Sequence, residues 1–190
     1  MPDGRRCRGR ASCHGRCMPI HGPGHLPAAN YLGLRRYFIT FCTHSRRPLF
    51  TAPDRVDLVR SQILRAARAN AFAISAYCFM PDHLHLLAEA TADDADGLRF
   101  IGRAKQVSGF HHMQTFGVRL WQRYAFERIL RNDEAVLGVA RYILENPIRA
   151  RLVERVEDYP FCGSVTYSLA QILEATACDP RSRGRSRTSD

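Results

Sequence analysis

Lysine is almost absent from this chain: Lys105 is the only one, and every other basic side chain is arginine. Tryptophan is as scarce, with Trp121 alone. No run of about 18 or more apolar residues occurs, which excludes a membrane-spanning helix. The N-terminus has arginine where a secretory signal needs an apolar stretch, so a cytoplasmic setting is expected, on the nucleoid when bound to DNA. Acidic residues are also few, 18 against 28 basic ones, leaving a formal charge of +10. That balance points to a polyanionic partner, nucleic acid before an acidic membrane surface. At 190 residues the chain suits one domain with tails and is too short for a large two-domain enzyme.

The charge sits mostly at the ends. Residues 1–30 carry +4 and residues 178–190 carry +2, so the long middle is only mildly basic. The preference for arginine suits forked contacts to phosphate and guanine, and it also follows from GC-rich codon usage. Residues 1–30 hold five Gly, four Pro and five Arg without periodicity and read as a disordered leader, with Met18 as an alternative start. Residues 31–168 read as the domain. Residues 169–190 read as an extension whose tail, from Pro180, is Arg/Ser-rich disorder. The seven cysteines are odd in number and irregularly spaced, which indicates free thiols in a reducing compartment. Cys7, Cys13 and Cys17 with His14, His21 and His25 form an alternative zinc-binding reading of the leader, without the paired spacing of a zinc ribbon.

Between the ends, the pattern predicts a strand over 36–43 and a helix opening at Asp54, with Val56, Val59, Ile63, Leu64 and Ala67 at helical spacing. Strands at 72–79 and 83–89 flank the turn Met80-Pro81-Asp82. Helix-capping residues 93–96 open a second helix running to about 113. Residues 124–130 are the candidate fourth strand. Asn132-Asp133 caps a last helix expected to end at Asn146-Pro147. The order β-α-β-β-α-β-α predicts an α+β, ferredoxin-like antiparallel sheet with an added C-terminal helix, its two main helices on one face and the other face open.

Two elements carry chemistry. In His83-Leu84-His85 the strand repeat puts both imidazoles on one face and Leu84 and Leu86 on the other. Two such rings suit a divalent cation, although an H-x-H alone also reads as a pair of half-buried strand histidines. On the last helix, Val136, Val139, Ala140, Ile143 and Leu144 form an apolar stripe. Tyr142 lies about 130° from that stripe, with Asn146 on its side of the helix. Tyr142 reads either as a surface tyrosine or as a nucleophile.

Tyr77-Cys78-Phe79-Met80-Pro81-Asp82-His83-Leu84-His85-Leu86-Leu87 resembles the His-hydrophobic-His strand of the single-tyrosine transposases, the insertion-sequence-200-like family. The stretches 120–127 (LWQRYAFE), 142–153 (YILENPIRARLV) and 157–160 (EDYP) resemble the REP-associated branch. The resemblance covers about residues 35–165. It implies attack by the Tyr142 hydroxyl on single-stranded or hairpin DNA, giving a 5′-phosphotyrosine link and a free 3′-OH that later rejoins the strand. It implies a divalent metal, Mg²⁺ or Mn²⁺, on His83, His85 and Asn146. It leaves DNA contacts to Arg99, Arg103, Arg119, Trp121 and Arg123, each arginine also readable as solvated surface charge. Arg128 departs from the branch, which often has His there, and the Arg/Cys-rich leader is no part of its pattern. A monomer and a homodimer are equally open. So are a catalytically silent DNA-binding module and a phosphodiesterase that uses water.

Overall fold

The computed structural model describes residues 31–130 and 135–178. The basic leader with its zinc reading, the Asn132-Asp133 cap and the Arg/Ser-rich tail lie outside the described residues. Five strands, β1 (Arg36–Cys42), β2 (Phe72–Met80), β3 (His83–Ala90), β4 (Phe126–Ile129) and β5 (Cys162–Gly163), form one antiparallel sheet in the order β4-β1-β3-β2-β5. The first four stand in the expected ferredoxin-like arrangement, and the short β5 adds an edge beside β2. No helix among the described residues is long and apolar enough to cross a membrane.

Helices α1 (Pro53–Ala69) and α2 (Gly97–Phe116) cover one face. Pro53 and Asp54 in the first turn of α1 suit a helix start, where a missing N–H and a negative charge are both favourable. Asp96 caps α2 by accepting the Arg99 N–H at 3.1 Å. The helix runs three residues past the expected Met113, because the stop is set by Gly117 in the left-handed region at φ 65°. Tyr37, Ile39, Phe41, Phe79, Leu84, Leu86, Phe100 and Trp121 pack in the core between these helices and the sheet.

The opposite face is not open as expected. Helix α3 (Val136–Leu144) crosses it, and Phe38, Cys78, Met80, Leu87, Val139, Ala140, Ile143, Leu144 and Ile172 form a second core. A bulge at Ser75 makes both cores possible. Phe72 and Ile74 face α1 and α2, whereas beyond the bulge Ala76, Cys78 and Met80 face α3. Packing on this side runs on to Cys178: Ile172 of α5 (Leu169–Glu174) is fully buried, and the Cys178 N–H donates to the Gly138 carbonyl at 2.9 Å.

The last helix also differs from expectation. It stops at Leu144, and a further turn, α4 (Asn146–Arg149), follows with Pro147 at its start. Proline is tolerated in a first helical turn, so Pro147 opens α4 instead of ending the helical stretch.

Candidate active site

The two histidines begin β3 directly after a tight turn. Their Cα partners on β1 are Cys42 and Thr40, and on β2 Met80 and Cys78. Leu84 and Leu86 are buried in the first core, so both imidazoles point to the α3 side. The two Nε2 atoms are 3.1 Å apart. Each ring is anchored through its other nitrogen. The His83 Nδ1–H donates to Asp82 Oδ1 at 2.6 Å, and His85 Nδ1 lies 2.9 Å from the Thr40 hydroxyl. Asp82 is held in turn by Arg46 Nε at 2.8 Å from Oδ2. Burial works to raise the Asp82 pKa, but the His83 hydrogen bond and the His83 and Arg46 charges outweigh it and hold the carboxyl below its usual value. Phe38 stacks on His85 with ring centroids 5.5 Å apart.

This donor set fits a divalent ion. The Asp82 bond fixes the His83 tautomer and leaves its Nε2 bare. Two ring nitrogens at 3.1 Å need a proton or a cation between them, and imidazole is a ligand for divalent transition metals. Among the described residues no group of three His, Cys, Asp or Glu side chains completes such a site. Asn146 turns its amide nitrogen back onto the Tyr142 and Ile143 carbonyls at 3.2 and 3.0 Å, which leaves its oxygen as the atom chemically able to coordinate.

Tyr142 is off the apolar stripe, as its helical position requires, and belongs to neither core cluster. It is nonetheless only 6% exposed. Arg149 covers it, with the guanidinium carbon 4.0 Å from the ring centroid and Nη2 donating to the Tyr142 carbonyl. Arg149 also ion-pairs with Glu145 at 3.5 Å, and Glu145 binds Arg141 at 2.7 Å. The Arg149 charge bears on Cys78, the strand partner of His85. Helix α3, which carries Tyr142, packs on the sheet face to which the histidines point. Cys78 itself is inert there, because burial pushes its thiol well up.

The residues expected to touch DNA are scattered. Arg99 and Arg103 are exposed on α2, which packs on the face away from the histidines. Arg119 and Arg123 are exposed in the segment between α2 and β4. Trp121 does not fit the contact role expected of it. It is buried against Phe41 and Phe50 and donates its Nε1–H to Ser108 at 2.9 Å. Sequence reasoning missed Asp82, Arg46, Thr40 and Arg149. Asp82 was visible as a carboxylate directly before the histidine pair; the other three carry no local signal.

Residues 33–146 match the sequence model of the family described as Transposase IS200 like. That stretch is well over half of the chain, and the chain belongs to this family. A REP-associated tyrosine transposase of Escherichia coli is 27% identical over 127 residues, covering 66% of this chain and 73% of the relative. A Haemophilus influenzae protein provisionally named as one is 26% identical over 136 residues, covering 66% of this chain and 77% of the relative. Among solved structures, a REP-associated tyrosine transposase bound to a REP hairpin superposes with a TM-score of 0.59 at 25% identity, over 70% of this chain and 78% of that one.

Proposed function

We propose that this chain cleaves and rejoins single-stranded DNA at hairpin repeats, with Tyr142 as nucleophile. The observation that carries the reading is the pair of Nε2 atoms 3.1 Å apart, each ring anchored from behind, on the sheet face against which α3, the helix that carries Tyr142, packs. His83, His85 and Asn146 would hold a divalent ion, Mg²⁺ or Mn²⁺. Bound there, the ion would polarise the target phosphate and offset developing charge.

The protein's own groups supply the rest. The Tyr142 oxygen forms a bond to phosphorus as the bond to the 3′ oxygen breaks. The tyrosine proton is lost and one is gained at the 3′ oxygen, so no other reactant is consumed. In rejoining, a 3′-OH attacks the phosphotyrosine and Tyr142 leaves. Arg149 places positive charge over the ring, which favours negative charge on its oxygen in both directions. Asp82 and Thr40 fix the ring orientations. The mildly basic surface supplies phosphate contacts to the strand, and the reading places the protein in the cytoplasm with its DNA.

The test is incubation with a hairpin oligonucleotide and Mn²⁺, labelled at one end or the other. A covalent protein–DNA adduct that survives denaturation and retains the 3′-end label supports the 5′-phosphotyrosine link. Cleavage without an adduct indicates a water nucleophile. Binding without cleavage indicates a silent binding module.

A further inference from the structure

With Trp121 in the core, another aromatic in the same segment is free to meet DNA. Tyr124 is 54% exposed. Phe110, the other exposed aromatic among the described residues, sits on α2, away from the histidines. The backbone around Tyr124 is fixed. Trp121 bridges Thr43, and the Gln122 N–H donates to the Cys42 carbonyl at 2.9 Å. Lys105 Nζ donates to the Gln122 and Arg123 carbonyls at 2.8 and 3.0 Å. Phe126 then pairs with Thr40.

The flanking contacts place the segment. Ala125 packs with the core under α1 and α2, and Phe126 packs with the core under α3. Tyr124 stands between the Gln122 contact and the start of β4, in a stretch with two more residues than the facing part of β1. Cys42 is the strand partner of His83, so the Gln122 segment lies two strand spacings from His83, about 10 Å. The Arg123 guanidinium carbon is 5.4 Å from the Tyr124 ring centroid, adding positive charge beside an exposed aromatic face.

We propose that Tyr124, backed by Arg123, is a stacking platform for an unpaired nucleobase beside the cleavage site. The proposal rests on the single-strand DNA reading above, but not on which group is the nucleophile. An exposed ring with a neighbouring cation is what a flipped or single-stranded base stacks on, and the contact tolerates any base because all have a π-face.

The experiment measures equilibrium binding of the full chain to short oligo(dT), to the same strand with its bases replaced by abasic sites, and to oligo(dT) with a central 2-aminopurine. Tyr124→Ala should weaken oligo(dT) binding about tenfold while leaving abasic binding and the salt slope unchanged, because the phosphate contacts remain. Tyr124→Phe and Tyr124→Trp should bind as the wild type does and keep the 2-aminopurine quenching that Tyr124→Ala loses. Equal oligo(dT) binding by Tyr124→Ala, an equal loss on the abasic strand, or a loss in Tyr124→Phe as large as in Tyr124→Ala would overturn the proposal. Failure of the nuclease reading shows separately, as absence of a wild-type adduct on the hairpin oligonucleotide.

Discussion

Arg149 and Tyr142 are seven residues apart in sequence and stacked in space, the guanidinium 4.0 Å from the ring centroid. The turn that opens at Pro147 brings the arginine back over the tyrosine. Arg149 therefore both holds the ring and charges its surroundings. Arg149→Met should slow adduct formation about tenfold in single-turnover conditions, the scale of a partly desolvated cation–π contact. Arg149→Lys should recover part of the rate, and hairpin affinity should change little in either variant. Unchanged single-turnover rates in Arg149→Met would remove Arg149 from the account.

Metal dependence should be graded by distance from the ion. His83→Ala and His85→Ala should each suppress cleavage strongly, as should EDTA, while DNA binding without metal survives. Asp82→Asn should keep the fold and lower metal affinity by about 10- to 100-fold, because the support behind His83 is weakened. Asn146→Ala should be milder, since water replaces one oxygen ligand readily on Mg²⁺. Titration calorimetry with Mn²⁺ reads each step, and cleavage untouched by EDTA would contradict the metal's part.

His112 makes stability depend on pH. It is fully buried in α2, its Nδ1 is 2.9 Å from the Val118 carbonyl, and Arg55 lies 3.3 Å from its Nε2. Burial pushes its pKa down, against the carbonyl hydrogen bond and with help from the Arg55 charge. A histidine whose folded pKa is below its unfolded value binds fewer protons when folded, so stability rises with pH. The contribution is complete above about pH 6.5 and is lost as pH falls from there towards the folded value. Denaturant melts of wild type and His112→Gln should show a steeper acid decline in the wild type over that window. Parallel declines would show that other groups carry the effect.

The basic leader should tune affinity without touching chemistry. Deleting residues 1–30 removes +4 of charge and none of the site. The truncated protein should cleave at the same position but bind random single strands more weakly. Its salt slope should be shallower, by roughly 0.7 for each phosphate that the leader no longer neutralises. Stoichiometric zinc in the full-length protein only, by elemental analysis, would show instead that the leader is a metal site.

Much of this was legible in the sequence, because strand periodicity is local. His83 and His85 share a face in any strand, and Leu84 and Leu86 show which face. The α-β order around them limits the sheet to few arrangements. What the sequence hid depends on chain segments far apart. Trp121 stands among arginines and reads as a DNA-facing residue, yet Phe41 and Phe50 enclose it. Tyr142 reads as off-stripe and therefore exposed, yet a residue of the next helical turn covers it. The second core was invisible because it depends on the Ser75 bulge and on Ile172, neither of which has a periodic signature. Thr40 became part of the site only through its pairing with His85 across β1 and β3.

Everything proposed for the site turns on whether the Tyr142 hydroxyl becomes covalently joined to DNA. The direct measurement compares wild type and Tyr142→Phe with a labelled hairpin oligonucleotide and Mn²⁺ on a denaturing gel, with affinity measured in parallel. The wild type should form a protein–DNA adduct and Tyr142→Phe none, at near-equal affinity, since only one oxygen is removed. An adduct that persists in Tyr142→Phe would show that Tyr142 is not the nucleophile and move the chemistry to another group.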